Sequence, residues 1–210
     1  MSANLPPIND ILGNYAPALI ALYGVPGAGK TCLCLHAALH FLQQGKKVIF
    51  VDTERGLSLE RFQQLAGEHY QTYLQSLILF LPHSFKHQHE TIQQVFFLVT
   101  QGNIALVIID TLSYYYRRFM KNRPDLGNTM LIRQMNILEQ ISKKIPVIVS
   151  NQVYSSVSDN TVKIVGGIIV EKRSDCLIEL VKEPRRKIIV KRPEQRELLF
   201  TMNDSGFCFL

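Results

Sequence analysis

The chain has no apolar stretch approaching the roughly 20 residues that a membrane-spanning helix needs. Its opening, Met1-Ser2-Ala3-Asn4-Leu5-Pro6, has no basic region leading into an apolar one, so neither a membrane span nor a secretory leader is expected. The four cysteines fall into no metal-binding or redox spacing. Cys32 and Cys34 stand two apart in one helix-like stretch and Cys176 and Cys208 are isolated, a pattern that predicts reduced, buried thiols. The histidines supply no zinc site either: His36 and His40 are four apart, His83, His87 and His89 crowd a segment that reads as a loop, and neither group has a third ligand type at standard spacing. Internal repeats, low-complexity tracts and interdomain linkers are also missing. What remains, 210 residues of which 47% are hydrophobic and 19% charged, predicts a single globular domain over residues 1–210. It should lie in the cytoplasm, or in the nucleus of a nucleated cell.

Acid is scarcer than base, with 17 Asp and Glu against 23 Lys and Arg, giving a net charge of +6. Between residues 182 and 196, seven cations (Lys182, Arg185, Arg186, Lys187, Lys191, Arg192 and Arg196) face only Glu183 and Glu194. A second cluster, Arg117, Arg118, Lys121 and Arg123, contains no acid. Such patches attract polyanions through counterion release. For the C-terminal group a simple solvated basic face is an equal reading.

Short apolar runs rich in β-branched residues recur at 18–23, 48–51, 77–81, 104–109 and 147–149, and they read as buried strands. Helix-like stretches at 30–44, 58–70, 90–101 and 128–144 alternate with them. Such alternation predicts an α/β fold, a mainly parallel sheet with helices on both faces. After Gly167 the pattern shifts to short segments at 176–181, 187–191, 198–202 and 206–210, separated by Pro184, Pro193 and Asn203-Asp204-Ser205-Gly206. These predict an antiparallel C-terminal extension of the sheet.

Chemistry is concentrated in Gly24-Val25-Pro26-Gly27-Ala28-Gly29-Lys30-Thr31, a complete Gly-x-x-x-x-Gly-Lys-Thr loop between a strand-like run and a helix-like one. The glycines let backbone N–H groups turn toward phosphate oxygens, Lys30 reaches the β- and γ-phosphates, and the Thr31 hydroxyl ligates Mg²⁺. A nucleoside triphosphate is therefore expected. Ile104 to Ile109 runs into Asp110, which reads as a strand-terminal carboxylate supporting Mg²⁺ or as an ordinary strand end. Val48 to Val51 runs into Asp52-Thr53-Glu54. Glu54 is either a base or orienter for attacking water or a carboxylate favoured at a helix start.

The phosphate loop, Val51-Asp52-Thr53-Glu54, Asp110-Thr111-Leu112-Ser113, Tyr116-Arg117, Arg133-Gln134, Ser150-Asn151-Gln152-Val153-Tyr154 and Val165-Gly166-Gly167 occur in an order that resembles the RecA/RadA recombinase core. The similarity covers nearly the whole chain. Within the family it is most similar to the archaeal RadB paralogues, which consist essentially of the ATPase core.

The resemblance implies a RecA-like P-loop NTPase fold with ATP and Mg²⁺ as cofactors. It further implies that Glu54 and Lys30 serve ATP turnover, that Asp110 supports the metal, and that Gln152 senses the γ-phosphate. Two DNA-facing loops are expected, at about Arg117 to Asn128 and Val153 to Gly166. In the first, Arg117, Arg118, Lys121 and Arg123 lie among Tyr114, Tyr115, Tyr116 and Phe119, and cations with rings suit single strands. The implied role is in homologous recombination and DNA repair at the nucleoid, with weak or conditional ATPase activity. The implied partners are single-stranded DNA and recombinase or other repair proteins, in a homo- or hetero-oligomer. A nucleotide-switched adaptor, or a KaiC-like regulatory ATPase acting through protein partners, is the alternative.

The chain departs from the family pattern in four places. No helical DNA-binding domain is expected ahead of the core, there is no clear Phe-x-x-Ala segment, the second loop is shorter, and Arg55 follows Glu54 where the family usually has Gly. Arg55 would then hold Glu54 away from water or contact phosphate. These departures predict gating of DNA or partner binding more than filament formation and strong turnover.

Overall fold

The computed structural model describes residues 6–155 and 162–210. In chain order its elements are α1 (Pro6–Ile11), β1 (Leu19–Gly24), α2 (Lys30–Leu42), β2 (Lys47–Asp52), α3 (Leu59–Ala66), α4 (Tyr70–Leu74), β3 (Leu77–Phe80) and α5 (Phe85–Thr100). There follow β4 (Ile104–Asp110), α6 (Ser113–Met120), α7 (Pro124–Ser142), β5 (Val147–Asn151), β6 (Val153–Ser155), β7 (Val162–Ile164) and α8 (Gly167–Arg173). The last four are β8 (Cys176–Val181), β9 (Lys187–Arg192), β10 (Arg196–Asn203) and β11 (Gly206–Phe209).

Nine strands form one sheet in the order β11-β10-β9-β8-β1-β5-β4-β2-β3. From β8 to β3 every pairing is parallel, and from β8 to β11 every pairing is antiparallel. The change of direction at β8 has a steric cause: a chain returning beside its own strand through the short turn 182–186 can only pair antiparallel, whereas parallel neighbours need a long crossover.

Strand alternation divides the core in two. Ile20, Leu22, Val48, Phe50 and Ile108 face α2 and the C-terminal strands, while Leu19, Ala21, Ile49, Val51 and Ile109 face α5, α7 and α8. Because the side-chain period of a strand is two, one run of apolar residues serves both layers. Among the described residues no helix is long and apolar enough to cross a membrane.

Several local features differ from the sequence pattern. α5 starts at Phe85, where the Ser84 hydroxyl accepts from His87 N–H at 3.1 Å, so His87 and His89 lie on a helix and not in a loop. Ser84 was the available signal, since serine favours the N-cap. α7 starts at Pro124, a residue suited to the first helical position. α6 and α8 were not expected, because each is too short for a 3.6-residue period to show.

Candidate nucleotide site and nucleic-acid interface

β1 delivers the chain into the phosphate loop beside β8, and a Cβ on Gly24 would collide with the Leu180 carbonyl. Gly29 caps α2 at φ 112°, in the left-handed region, where a Cβ would also press on Met202 Sδ at 3.1 Å and Phe207 Cζ at 3.2 Å. Only glycine meets both demands. The first turn of α2 thus presents its N–H groups at the mouth of the loop, where an anion is favoured. Lys30 folds back, donating to the carbonyls of Gly24 at 2.8 Å and Val25 at 3.1 Å. Burial lowers its pKa, while Asp110 and Glu54 pull the other way.

Asp110, at the end of β4, is 4% exposed. Thr31 Oγ1 donates to its Oδ2 at 2.7 Å, and Ser150 Oγ donates to Oδ1. Burial holds the Asp110 pKa above the ordinary carboxylate value; the two hydroxyl bonds oppose this and the nearby Asp52 and Glu54 carboxylates add to it. A buried carboxylate in that state is short of positive charge, which a cation would supply. The donor set suits Mg²⁺: hydroxyl and carboxylate oxygens are hard ligands, and Mg²⁺ characteristically takes few protein ligands beside substrate phosphates. Because its O–H donates to Asp110, the Thr31 oxygen keeps its lone pairs for such an ion. No cluster of three or more His, Cys, Asp or Glu side chains able to hold a metal occurs among the described residues.

Glu54 sits just beyond β2, and the turn that presents it is built by Asp52, which accepts from the Gly56 N–H at 3.1 Å and the Leu57 N–H at 2.9 Å. Thr53 ties this turn to the end of β4, its N–H donating to the Asp110 carbonyl at 2.9 Å and its hydroxyl to the Thr111 carbonyl at 2.7 Å. Glu54 Oε1 accepts from Thr111 Oγ1 at 2.8 Å and from Gln152 Nε2 at 2.9 Å. No hydrogen bond among the described residues ends on Oε2, so one carboxylate oxygen is fixed and the other is left to accept from water. Gln152 is itself held by its N–H on Ser113 Oγ at 2.8 Å. The β6–β7 hairpin begins at the next residue, with Val153 opposite Ile164.

Arg55 neither restrains Glu54 nor reaches the phosphate loop. It occupies φ 59°, and its guanidinium donates to the carbonyls of Leu81 at 3.0 Å and Pro82 at 3.4 Å, beyond β3. A second bond to the Pro82 carbonyl comes from Tyr115 Oη on α6, at 2.9 Å.

The first segment expected to face DNA is mostly helical. Arg117 and Arg118 close α6, Lys121 is its C-cap, and Arg123 is the N-cap of α7. All four are exposed. The aromatic neighbours divide by role. Tyr116 is buried and donates to Asn128 Oδ1 at 2.7 Å, Phe119 packs on Phe85, and Tyr114 lies 5.8 Å from the Arg118 guanidinium in a cation–π contact. Of the second segment, 153–155 and 162–164 are paired strands, and residues 156–161 lie outside the described residues.

The C-terminal basic run is largely committed to the fold. Lys187 pairs with Glu197 at 3.1 Å, Lys191 with Glu179 at 2.9 Å, and Arg196 with Asp10 and Glu194 at 2.9 Å each. Arg192 donates to the Glu171 and Ser174 carbonyls. Lys182 and Arg186 instead lie against Gly27 of the phosphate loop. Arg61 donates to the Asn203 and Asp204 carbonyls at 2.9 Å each and contacts Cys32 Sγ at 3.6 Å, next to Thr31. None of these three neighbours was legible in the sequence, because each is far from the loop along the chain.

A family model described as Rad51 matches residues 12–207. The chain belongs to the Rad51 family. Relatives of this Rad51-family chain include the DNA repair and recombination protein RadB of Methanococcoides burtonii, 35% identical over 212 residues, covering 95% of this chain and 93% of that protein. The protein of the same name from Methanocaldococcus jannaschii is 34% identical over 178 residues and 82% of each. A solved structure described as the crystal structure of the RadB recombinase matches with a TM-score of 0.77 and 33% identity, covering 95% of this chain and 94% of that one. The fold of this Rad51-family member is accordingly RecA-like, a mainly parallel sheet with helices and an antiparallel C-terminal extension. The similarity to RadB expected from its motifs is also found.

Proposed function

We propose that the chain binds ATP with Mg²⁺ at the Gly24–Thr31 loop and, in the nucleotide-bound state, binds single-stranded DNA in support of recombination and repair, with weak ATPase activity. Val25, Pro26 and Ala28 shape the loop between its glycines, and Lys30 exchanges its bonds to Gly24 and Val25 for phosphate oxygens. Thr31 and Asp110 hold the metal, which neutralises phosphate charge. Glu54 orients the attacking water through Oε2, and Gln152 reports the γ-phosphate to the β6–β7 hairpin. Family membership and the RadB names of its relatives support the recombination role.

The observation that carries this reading is the pair of bonds on Glu54 Oε1, from Thr111 and Gln152. It joins the candidate water-orienting group to the start of a candidate DNA-facing hairpin. The test is a paired titration at fixed salt: single-stranded DNA affinity with and without ATP, and ATP affinity with and without DNA. Binding linkage requires the two factors to be equal. Mutual strengthening is expected. If neither ligand affects the other, the nucleotide-switched adaptor replaces this reading.

A further inference from the structure

The β8–β9 turn brings two cations to the phosphate loop from far along the chain. Gly24 pairs with Leu180 across the β1–β8 ladder, so the residues following β8 run past the loop as it leaves β1. Arg186 Nη1 donates to the Gly27 carbonyl at 3.0 Å and lies 3.7 Å from Met202 Sδ. Lys182 Nζ lies 4.0 Å from the point a Cβ on Gly27 would occupy. Lys30 is already in the same loop, so three cations gather around a few backbone atoms.

Lys182 and Arg186 add positive charge at the loop, and an anion arriving there is stabilised by it. Three other members of the basic run find counter-charge inside the fold: Lys187, Lys191 and Arg196 all sit on carboxylates. Among the described residues Lys182 pairs with no carboxylate, although Glu183 adjoins it in the same turn. Its side chain is exposed, so this placement is not forced by packing.

We propose that Lys182 is a second phosphate-binding lysine of the nucleotide site, and that Arg186 is a positioning residue holding the Gly27 carbonyl. The ligand class is the polyphosphate of a nucleoside triphosphate. The C-terminal antiparallel strands then form one wall of the site, with Met202 and Phe207 against Gly29. This inference rests on the nucleotide reading above, which Lys30 tests separately.

The experiment is equilibrium binding of ATP and of AMP with Mg²⁺ to the full chain and to Lys182→Ala, Lys182→Arg, Arg186→Ala and Lys30→Ala, with a thermal melt of each. Lys182→Ala should weaken ATP binding about threefold to tenfold, weaken AMP binding less, and leave the melting temperature unchanged. Lys182→Arg should restore ATP affinity, since charge at that point is what the phosphates need. Arg186→Ala should weaken ATP binding beyond any change in its melt. Lys182→Ala binding ATP as the parent does, while Lys30→Ala does not bind, overturns this inference alone. Lys30→Ala binding ATP as the parent does overturns the nucleotide reading itself.

Discussion

Gln152 Nε2 donates to Glu54 Oε1 across 2.9 Å, joining the chain beyond β5 to the chain beyond β2. These strands are not neighbours: β4 lies between them, and Thr111, just past β4, donates to the same oxygen. Three parallel strands therefore end on one carboxylate oxygen. At the C-terminal ends of parallel strands, side chains from separate strands can converge in this way.

Glu54→Gln keeps an acceptor for Thr111 and Gln152 but removes the carboxylate. ATP turnover in the presence of single-stranded DNA should fall by about a hundredfold or more, with ATP affinity nearly unchanged. Single-turnover phosphate release checks this, and unaltered release would exclude Glu54 from the chemistry.

Thr31→Ala removes both the hydroxyl offered to Mg²⁺ and one of the two hydroxyl bonds on Asp110. The expected result is an ATP affinity that no longer responds to Mg²⁺, measured by titration with the metal and with a chelator. A preserved Mg²⁺ response would place the metal elsewhere.

Arg117, Arg118 and Arg123 are exposed around the end of α6. Replacing all three with Ala should make the plot of log affinity for single-stranded DNA against log salt shallower by about 2, from roughly 0.7 for each lost phosphate contact. An unchanged slope would remove this face from the DNA site.

His36 Nε2 is buried against Gly206 with no hydrogen-bond partner among the described residues. Burial foremost, then Arg61, pushes its pKa from 6.5 to about 4. The unfolded chain therefore takes up this proton first as pH falls. Stability from neutral His36 is full above pH 6.5, declines between 6.5 and about 4, and is level below that, a loss of up to about 3 kcal/mol. Denaturant unfolding of the parent and of His36→Leu at pH 7, 5 and 4 should show the parent losing stability relative to the variant only in that window. Parallel pH profiles would show that His36 does not titrate as described.

The sequence by itself determined what local pattern can carry. The phosphate loop is contiguous, so its glycines, Lys30 and Thr31 are legible as a unit. Asp110 and Glu54 follow apolar runs whose alternation marks buried strands, and parallel strands carry such ends to one edge. Tertiary structure alone decided what depends on strand order. Nothing local places Arg186 beside Gly27, 159 residues away, or Met202 and Phe207 against Gly29; both follow from β8 lying next to β1. Nothing local shows that Arg55 spends its charge on Leu81 and Pro82, or that Lys187, Lys191 and Arg196 close on acids within the fold. Side-chain periodicity fixes which residues are buried, but the partner of a charge is set by which distant strand arrives beside it.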